Sequence, residues 1–496
     1  MDNNHNGIYI QIGKNSSDKH EKYKSCYGTN ELYWGIGIEN GLYLEFEKKS
    51  EKHMKIFLNS HKKERYSEDY YKNYVEEHVD CGFLYKSFSY SGEFPTLMNS
   101  HSMTKTDRMN QSKTLYTKLC EQNPKFCGET LWDVVSLKNK YLRENLQKKF
   151  TFDGDTIDII TQKFYNAKNI DVMEEYKKSK KDFITNLRHV FSENSIFLEH
   201  GEIGFIKDNH PFAIYLTNEN NIGIFNHGTL HFNITLPTQL QEDSKISDKD
   251  TFIRIHKNYI KLIQFIEPFF LAKYGSPDHF SMNPCENALL FSACSQRCAV
   301  SRCIGIGTYD TDNMKIGSLL QDNTSTFYVA TQEYGWYNQY YKKCAYTKAD
   351  KMGYDINFNK HYNHGVEIRF FDHIPDDDKI SEVLEHLIYL GDWALENNVF
   401  ENPIKNKHWN GLVVKCMKYG KKVQLNYEEL ELYNTIFDTK FKNQDICSLY
   451  DEIIETTCST KDKLFSKHAH AIQSVHTQDL IMEEYSRESL YCCAVS

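Results

Sequence analysis

The chain has 496 residues, 40% hydrophobic and 26% charged, with a formal net charge of −9. That balance excludes a disordered chain and argues against a general nucleic-acid binder, which is normally basic. The length allows two to four ordinary domains, or one large one, at ~100–200 residues per domain. The 14 cysteines include no Cys-x-x-Cys pair, and residues 1–24 are polar with no apolar signal-peptide core. Free thiols in a reducing, cytoplasmic setting are therefore expected.

In chain order, residues 1–28 read as a polar leader and residues 31–57 as strand. Residues 60–80 are charged and read as a solvated helix or loop. A helix is expected over 129–150, where Leu131, Val134, Val135, Leu142 and Leu146 fall near helical spacing. A second, charged on one side, is expected over 169–191. Residues 212–236 alternate apolar and polar and predict two strands turned at 218–221. A long amphipathic helix is expected over 250–273, opening at Ser247 or Asp250. Its apolar stretch, 259–274, holds Lys261, Gln264, Glu267 and Lys273, so it reads as a buried helix and not as a membrane span. Residues 305–365 are rich in glycine and tyrosine and carry no clear assignment. A strand follows over 366–371, then helices over 378–396, 406–419, 427–440 and 444–465. The division expected is a body over 29–375, a helical region over 376–480 that packs on that body or stands apart, and a tail over 481–496.

Three strands carry one apolar and one reactive face, because side chains two apart share a face. In the first, Ile36, Ile38, Leu42, Leu44 and Phe46 oppose Glu39, Tyr43, Glu45 and Glu47, with Gly37 and Gly41 between. In the second, Leu230, Phe232, Ile234 and Leu236 oppose His231, Asn233 and Thr235. In the third, Val366, Ile368 and Phe370 oppose Glu367, Arg369 and Phe371. Each has a bland reading: exposed acids, a structural histidine, a surface ion pair of little energetic value. Together they offer carboxylate and imidazole ligands suited to Mg²⁺ or Mn²⁺, and an arginine fork suited to phosphate or carboxylate.

The order Gly-Ile-Glu at Glu39, His-x-Asn-x-Thr at His231, an arginine-rich segment around Arg297 and Arg302, then Glu-x-Arg-Phe at Glu367 resembles the glutamine synthetase / glutamate–cysteine ligase superfamily, closest to its amidoligase branch. The resemblance implies an α+β fold: a curved antiparallel sheet forming a funnel, helices outside, and here a mainly helical C-terminal region. It implies ATP and Mg²⁺ (or Mn²⁺) as cofactors, with Glu39, His231 and Glu367 holding metal and Arg369 holding phosphate or an acyl-phosphate. Arg297 and Arg302 would take a substrate carboxylate or the nucleotide, and Asn233, Thr235 and Glu45 would line the substrate and nucleotide cavity. The implied reaction joins a carboxylate, of glutamate or another amino acid, to an amine. Two alternatives stand beside it: a catalytically degenerate ligand-binding regulator, and a guanidino kinase. One departure is Gly41, where the family carries a second glutamate two residues after the first; Glu45 lies ~13 Å further along an extended strand. Small-molecule substrates and no nucleic acid are expected as partners, with the oligomeric state open.

Cys493-Ala494-Val495-Ser496 fits a prenylation box, and Cys492 beside it could be palmitoylated, which would add membrane association in a eukaryotic setting. His468, His470 and His476 form a small cluster better read as polar surface.

Overall fold

The structure, a computed structural model, describes residues 32–48, 96–98, 100–104, 131–153, 156–165, 167–193, 201–207, 229–239, 241, 246–276, 308–318, 355–358 and 365–458. The strands are β1 (Leu32–Leu42), β2 (Leu44–Phe46), β3 (Thr96–Met98), β4 (Phe150–Asp153), β5 (Thr156–Ile160), β6 (Ile203–Phe205), β7 (Thr229–Gln239), β8 (Thr308–Asp310), β9 (Lys315–Ser318), β10 (Ile356–Phe358) and β11 (Val366–Phe371). The helices are α1 (Ser100–Thr104), α2 (Leu131–Lys138), α3 (Lys140–Asn145), α4 (Asn169–Ser192), α5 (Lys249–Tyr274), α6 (Asp377–Glu396), α7 (Lys407–Tyr419), α8 (Tyr427–Phe437) and α9 (Ile446–Cys458). The fold class is α+β. None of the described helices is long and apolar enough to cross a membrane.

The main sheet is antiparallel throughout, in the order β10-β11-β7-β1-β5-β4. Period-two alternation gives it two unlike faces. Ile36 and Ile38 of β1, Ile157 and Ile159 of β5, Phe232 and Ile234 of β7 and Val366 and Ile368 of β11 are all buried in one apolar layer. Helices α4 and α5 cover that layer. At its margin Asn40 Nδ2 donates to Tyr176 Oη of α4 at 2.5 Å.

Several elements depart from expectation for local reasons. The strand over 31–57 breaks at Tyr43, which is fully buried, and β2 leaves to form a separate three-stranded sheet with β3 and β6. The helix over 129–150 is interrupted at Asn139. Its side chain accepts from Leu142 N at 3.0 Å and caps a new helix, and Phe150 already opens β4. The start of α5 is capped by Asp248, which accepts from Thr251 N at 3.0 Å, rather than by Ser247 or Asp250. Strand β5 has no counterpart among the expected elements.

Helix α5 is buried nearly all round, because it is sandwiched between the sheet and the C-terminal helices. Its polar groups are used internally. His256 Nε2 accepts from Leu236 N at 3.1 Å while Nδ1 faces Phe252 O at 2.9 Å, so the ring is neutral. Pro268 has no N–H to give to the Gln264 carbonyl one turn back; that oxygen accepts instead from Trp409 Nε1 of α7 at 2.7 Å. The next carbonyl, Phe265 O, accepts from Tyr433 Oη of α8 at 2.8 Å. The helices after residue 376 thus share one continuous core with the sheet.

Burial lowers two histidines, His256 in α5 and His386 in α6, to about 4. The unfolded chain takes up these protons near 6.5, so each neutral ring stabilises the fold above that pH and loses its contribution as pH falls from 6.5 toward 4. For fully buried His256 the full loss is on the order of 3 kcal/mol. Urea unfolding at successive pH values should show stability declining across this window, and His386→Asn should make the decline shallower by about one proton. A stability curve flat from pH 7 to 4.5 would contradict this.

Candidate functional site

The face of the sheet opposite the helices is polar. Glu39 on β1 and His231 on β7 are direct cross-strand partners, and Glu367 on β11 is the partner of Asn233. His231 Nδ1 lies 3.7 Å from a Glu39 carboxylate oxygen and 3.4 Å from one of Glu367. One ligand atom from each residue falls within 4.8 Å of the other two. His231 and Glu367 are 5% and 2% exposed, and Glu39 is half-buried. Neither ring nitrogen of His231 has a hydrogen-bond partner among the described residues.

A buried imidazole between two carboxylates, with both nitrogens unbonded, is a costly arrangement by itself. A divalent cation at ordinary ligand distances would resolve it, and two carboxylates with one imidazole form a donor set open to several divalent metals. Glu367 is also oriented from behind. Asn357, its partner on edge strand β10, donates from Nδ2 to Oε2 at 2.6 Å, while Oε1 faces His231. Arg369 stands on the flank, its Nε 4.0 Å from Glu367 Oε2 and its backbone N–H given to Asp355 O at 2.7 Å.

Gly41 acquires a structural reason. It pairs with Asp158 of β5, and a Cβ at position 41 would lie 2.8 Å from Asp158 Oδ1 and 3.0 Å from Thr156 Oγ1. The Asp158 carboxylate therefore fills the room that a side chain at 41 would need. It is 4% exposed, accepts from Thr156 Oγ1 at 2.6 Å, and lies on the same sheet face as Glu39. A carboxylate missing from β1 is present on its neighbour.

Gly35 and Gly37 also have a covering group. A Cβ at either would meet the Phe164 ring, at 2.6 Å and 2.4 Å respectively. Residues 161–165 continue from β5 alongside β1, bridging at Gly35 and Tyr165. Thr161 Oγ1 accepts from Ile38 N at 3.0 Å, and Phe164 O accepts from Ile36 N at 2.8 Å. Buried Glu175 of α4 accepts from the backbone of Gln162 and Lys163 at 3.0 and 2.7 Å.

Other expected residues are distributed as follows. Asn233 is half-buried between Gly37 and Glu367, and Thr235 is fully buried opposite Gly35. Glu45 does not join the cluster: it lies in β2, paired with Leu97 and Gly204 in the separate sheet. Phe371 is not on the polar face either. A register shift between Ile368 and Phe371 turns its ring onto Phe232 and Phe270, both at 5.1 Å. Arg297, Arg302, Cys492, Cys493, His468, His470 and His476 lie outside the described residues. Asp158, Asn357 and Phe164 escaped the sequence reading, although Thr156-Ile157-Asp158-Ile159 and Ile356-Asn357-Phe358 carry the same alternation that exposed the other strands.

No protein-family model matches the chain. It is similar to a curated protein of Acanthamoeba polyphaga mimivirus described as "Uncharacterized protein R704". The two are 36% identical over 410 residues, which span 82% of this chain and 71% of the viral protein.

The close packing at Gly41 is testable. Gly41→Ala should lower stability by about 1–3 kcal/mol through overpacking. In an Asp158→Gly background the same change should cost much less, measured as a double-mutant cycle by urea unfolding. Equal costs in both backgrounds would show that Asp158 does not occupy this space.

Proposed function

The chain belongs to the same family as the mimivirus protein R704, and for this member we propose an ATP- and magnesium-dependent ligase that joins the carboxylate of glutamate or another amino acid to an amine through an acyl-phosphate. The observation that carries this reading is His231, buried between Glu39 and Glu367 with both ring nitrogens unbonded among the described residues. The proposed body is a funnel, with the main sheet curved so that its polar face lines the cavity.

Amide formation from a free carboxylate requires two anions, the carboxylate and the terminal phosphate, to be brought together. A divalent ion held by Glu39, His231 and Glu367 would supply the neutralising charge for that encounter. The chain's own part is positioning. Asn357 occupies one oxygen of Glu367 and leaves the other toward His231. Arg369 stands beside Glu367 on the flank, a planar donor suited to a phosphate oxygen. No covalent protein nucleophile is needed, because catalysis of this kind is mainly orientation and electrostatics.

Glu39→Gln, His231→Ala and Glu367→Gln should each weaken Mn²⁺ binding, measured by titration calorimetry. The loss should exceed the ~10–100-fold that removal of an outer partner costs. Melting temperatures should change little in the two glutamate variants, since loss of one carboxylate relieves like-charge repulsion in the metal-free state. Unchanged Mn²⁺ affinity in all three folded variants would sink the metal reading. A screen of ATP with amino-acid pairs should then yield ADP and an amide. A phosphoguanidine product would indicate a guanidino kinase instead, and ATP binding without ADP release would indicate a regulator.

A further inference from the structure

We propose that the Phe164 ring is a stacking platform for the base of a nucleoside triphosphate whose phosphates reach the Glu39–His231–Glu367 cluster; this rests on the metal reading above and assigns its nucleotide subsite. The ring's placement is specific. Its Cδ1–Cε1 edge lies over Gly35 and its Cδ2–Cε2 edge over Gly37, so one face is laid on the strand and the other turns away from the sheet. Phe164 is half-buried and packs with Tyr33 and Tyr165 in a small aromatic cluster. Tyr165 meets it edge-on, with centroids 4.7 Å apart at 87°, and Tyr33 backs Tyr165 at 4.7 Å.

A platform must hold still, and this one is anchored on both sides. Thr161 bonds β1 at Ile38, Tyr165 bridges Gly35, and the peptides between are fixed on the Glu175 carboxylate, which Lys149 neutralises. Two glycines in a strand interior cost sheet stability, and they commonly mark a close approach of another group. Here they seat a ring that stays half-buried, so part of it remains accessible.

Distance selects the occupant. Positions 35 and 37 are four and two residues from Glu39, or about 7–13 Å along an extended strand. An aromatic amino acid places its ring closer to its carboxylate than this; a nucleotide interposes a ribose between base and phosphates and spans it. Aromatic rings take bases of any sequence by their π-faces. Asn233, half-buried opposite Gly37, offers an amide to the edge of such a base.

The test compares ATP with inorganic tripolyphosphate, both in the presence of Mn²⁺, for the native chain, Phe164→Ala and Phe164→Tyr. Calorimetry should show Phe164→Ala binding ATP about 5–150-fold more weakly, with tripolyphosphate and Mn²⁺ affinities unchanged. Phe164→Tyr, which keeps a flat ring, should stay close to native for ATP. The subsite is overturned if Phe164→Ala binds ATP as the native chain does, or if it loses both phosphate ligands equally, which would make the ring only a prop for its loop. It is also overturned alone if the native chain binds Mn²⁺ but holds ATP no more tightly than tripolyphosphate. Absence of Mn²⁺ binding in the native chain would instead overturn the metal reading, and the subsite with it.

Discussion

The pairing of β1 with β7 in a single register governs both faces of this protein at once. Ile38 opposite Phe232 builds the layer on which α5 rests, and Glu39 opposite His231 builds the cluster behind it. Because the side-chain period of a strand is two, a slip of one residue would drive Glu39 and His231 into the apolar layer and turn Ile36 and Ile38 outward. Helix α5, buried along nearly its whole length, packs against that layer, where unpaired carboxylates would be costly. The helix that stabilises the sheet therefore disfavours arrangements in which the carboxylates do not share the far face. Strand β11 is tied into this frame through Ile368 opposite Phe232 and Glu367 opposite Asn233, so the third acid arrives by the same constraint.

That coupling explains which features were legible. Glu39, His231 and Glu367 lie in strands long enough for alternation to stand out, and each falls on the side its parity indicates. The long helices were legible too, because apolar periodicity over twenty residues has few rival readings. Parity failed where the backbone departs from a regular strand. The irregularity in β11 turns Phe371 to the apolar side, and the break at Tyr43 carries Glu45 into another sheet. The helix expected over 129–150 was mistaken in extent because Asn139, a capping residue, lies within an otherwise helical pattern. Asp158 and Asn357 sit in strands of five and three residues, too short for their alternation to be distinguished from chance. Their importance is relational: Asp158 matters because Gly41 faces it, and Asn357 because Glu367 does.

The charges on the polar face also show how a sheet can carry buried acids. Each is constrained by a neighbour: Glu367 by Asn357 on β10, Asp158 by Thr156 two residues back on its own strand, His231 by the two glutamates it faces on β1 and β11. Antiparallel pairing makes such contacts short, since directly opposed side chains stand ~4.5–5.5 Å apart at Cβ. Strands far apart in sequence can therefore assemble a compact cluster without help from any loop.

Pro268 sets an order of events for the newborn chain. When α5 leaves the ribosome, the Gln264 carbonyl has no N–H within its own helix to accept from, and the group that satisfies it, the Trp409 indole, lies 145 residues downstream. At synthesis rates of ~5–20 residues per second, that indole emerges on the order of ten seconds later. Until then the central helix carries an unsatisfied backbone oxygen in its most apolar region, and water must serve it. Helices α7 and α8, made after the strands of the main sheet, are thus among those that close the core, so a polypeptide ended before α7 would keep the main-sheet strands while leaving the middle of the molecule wet.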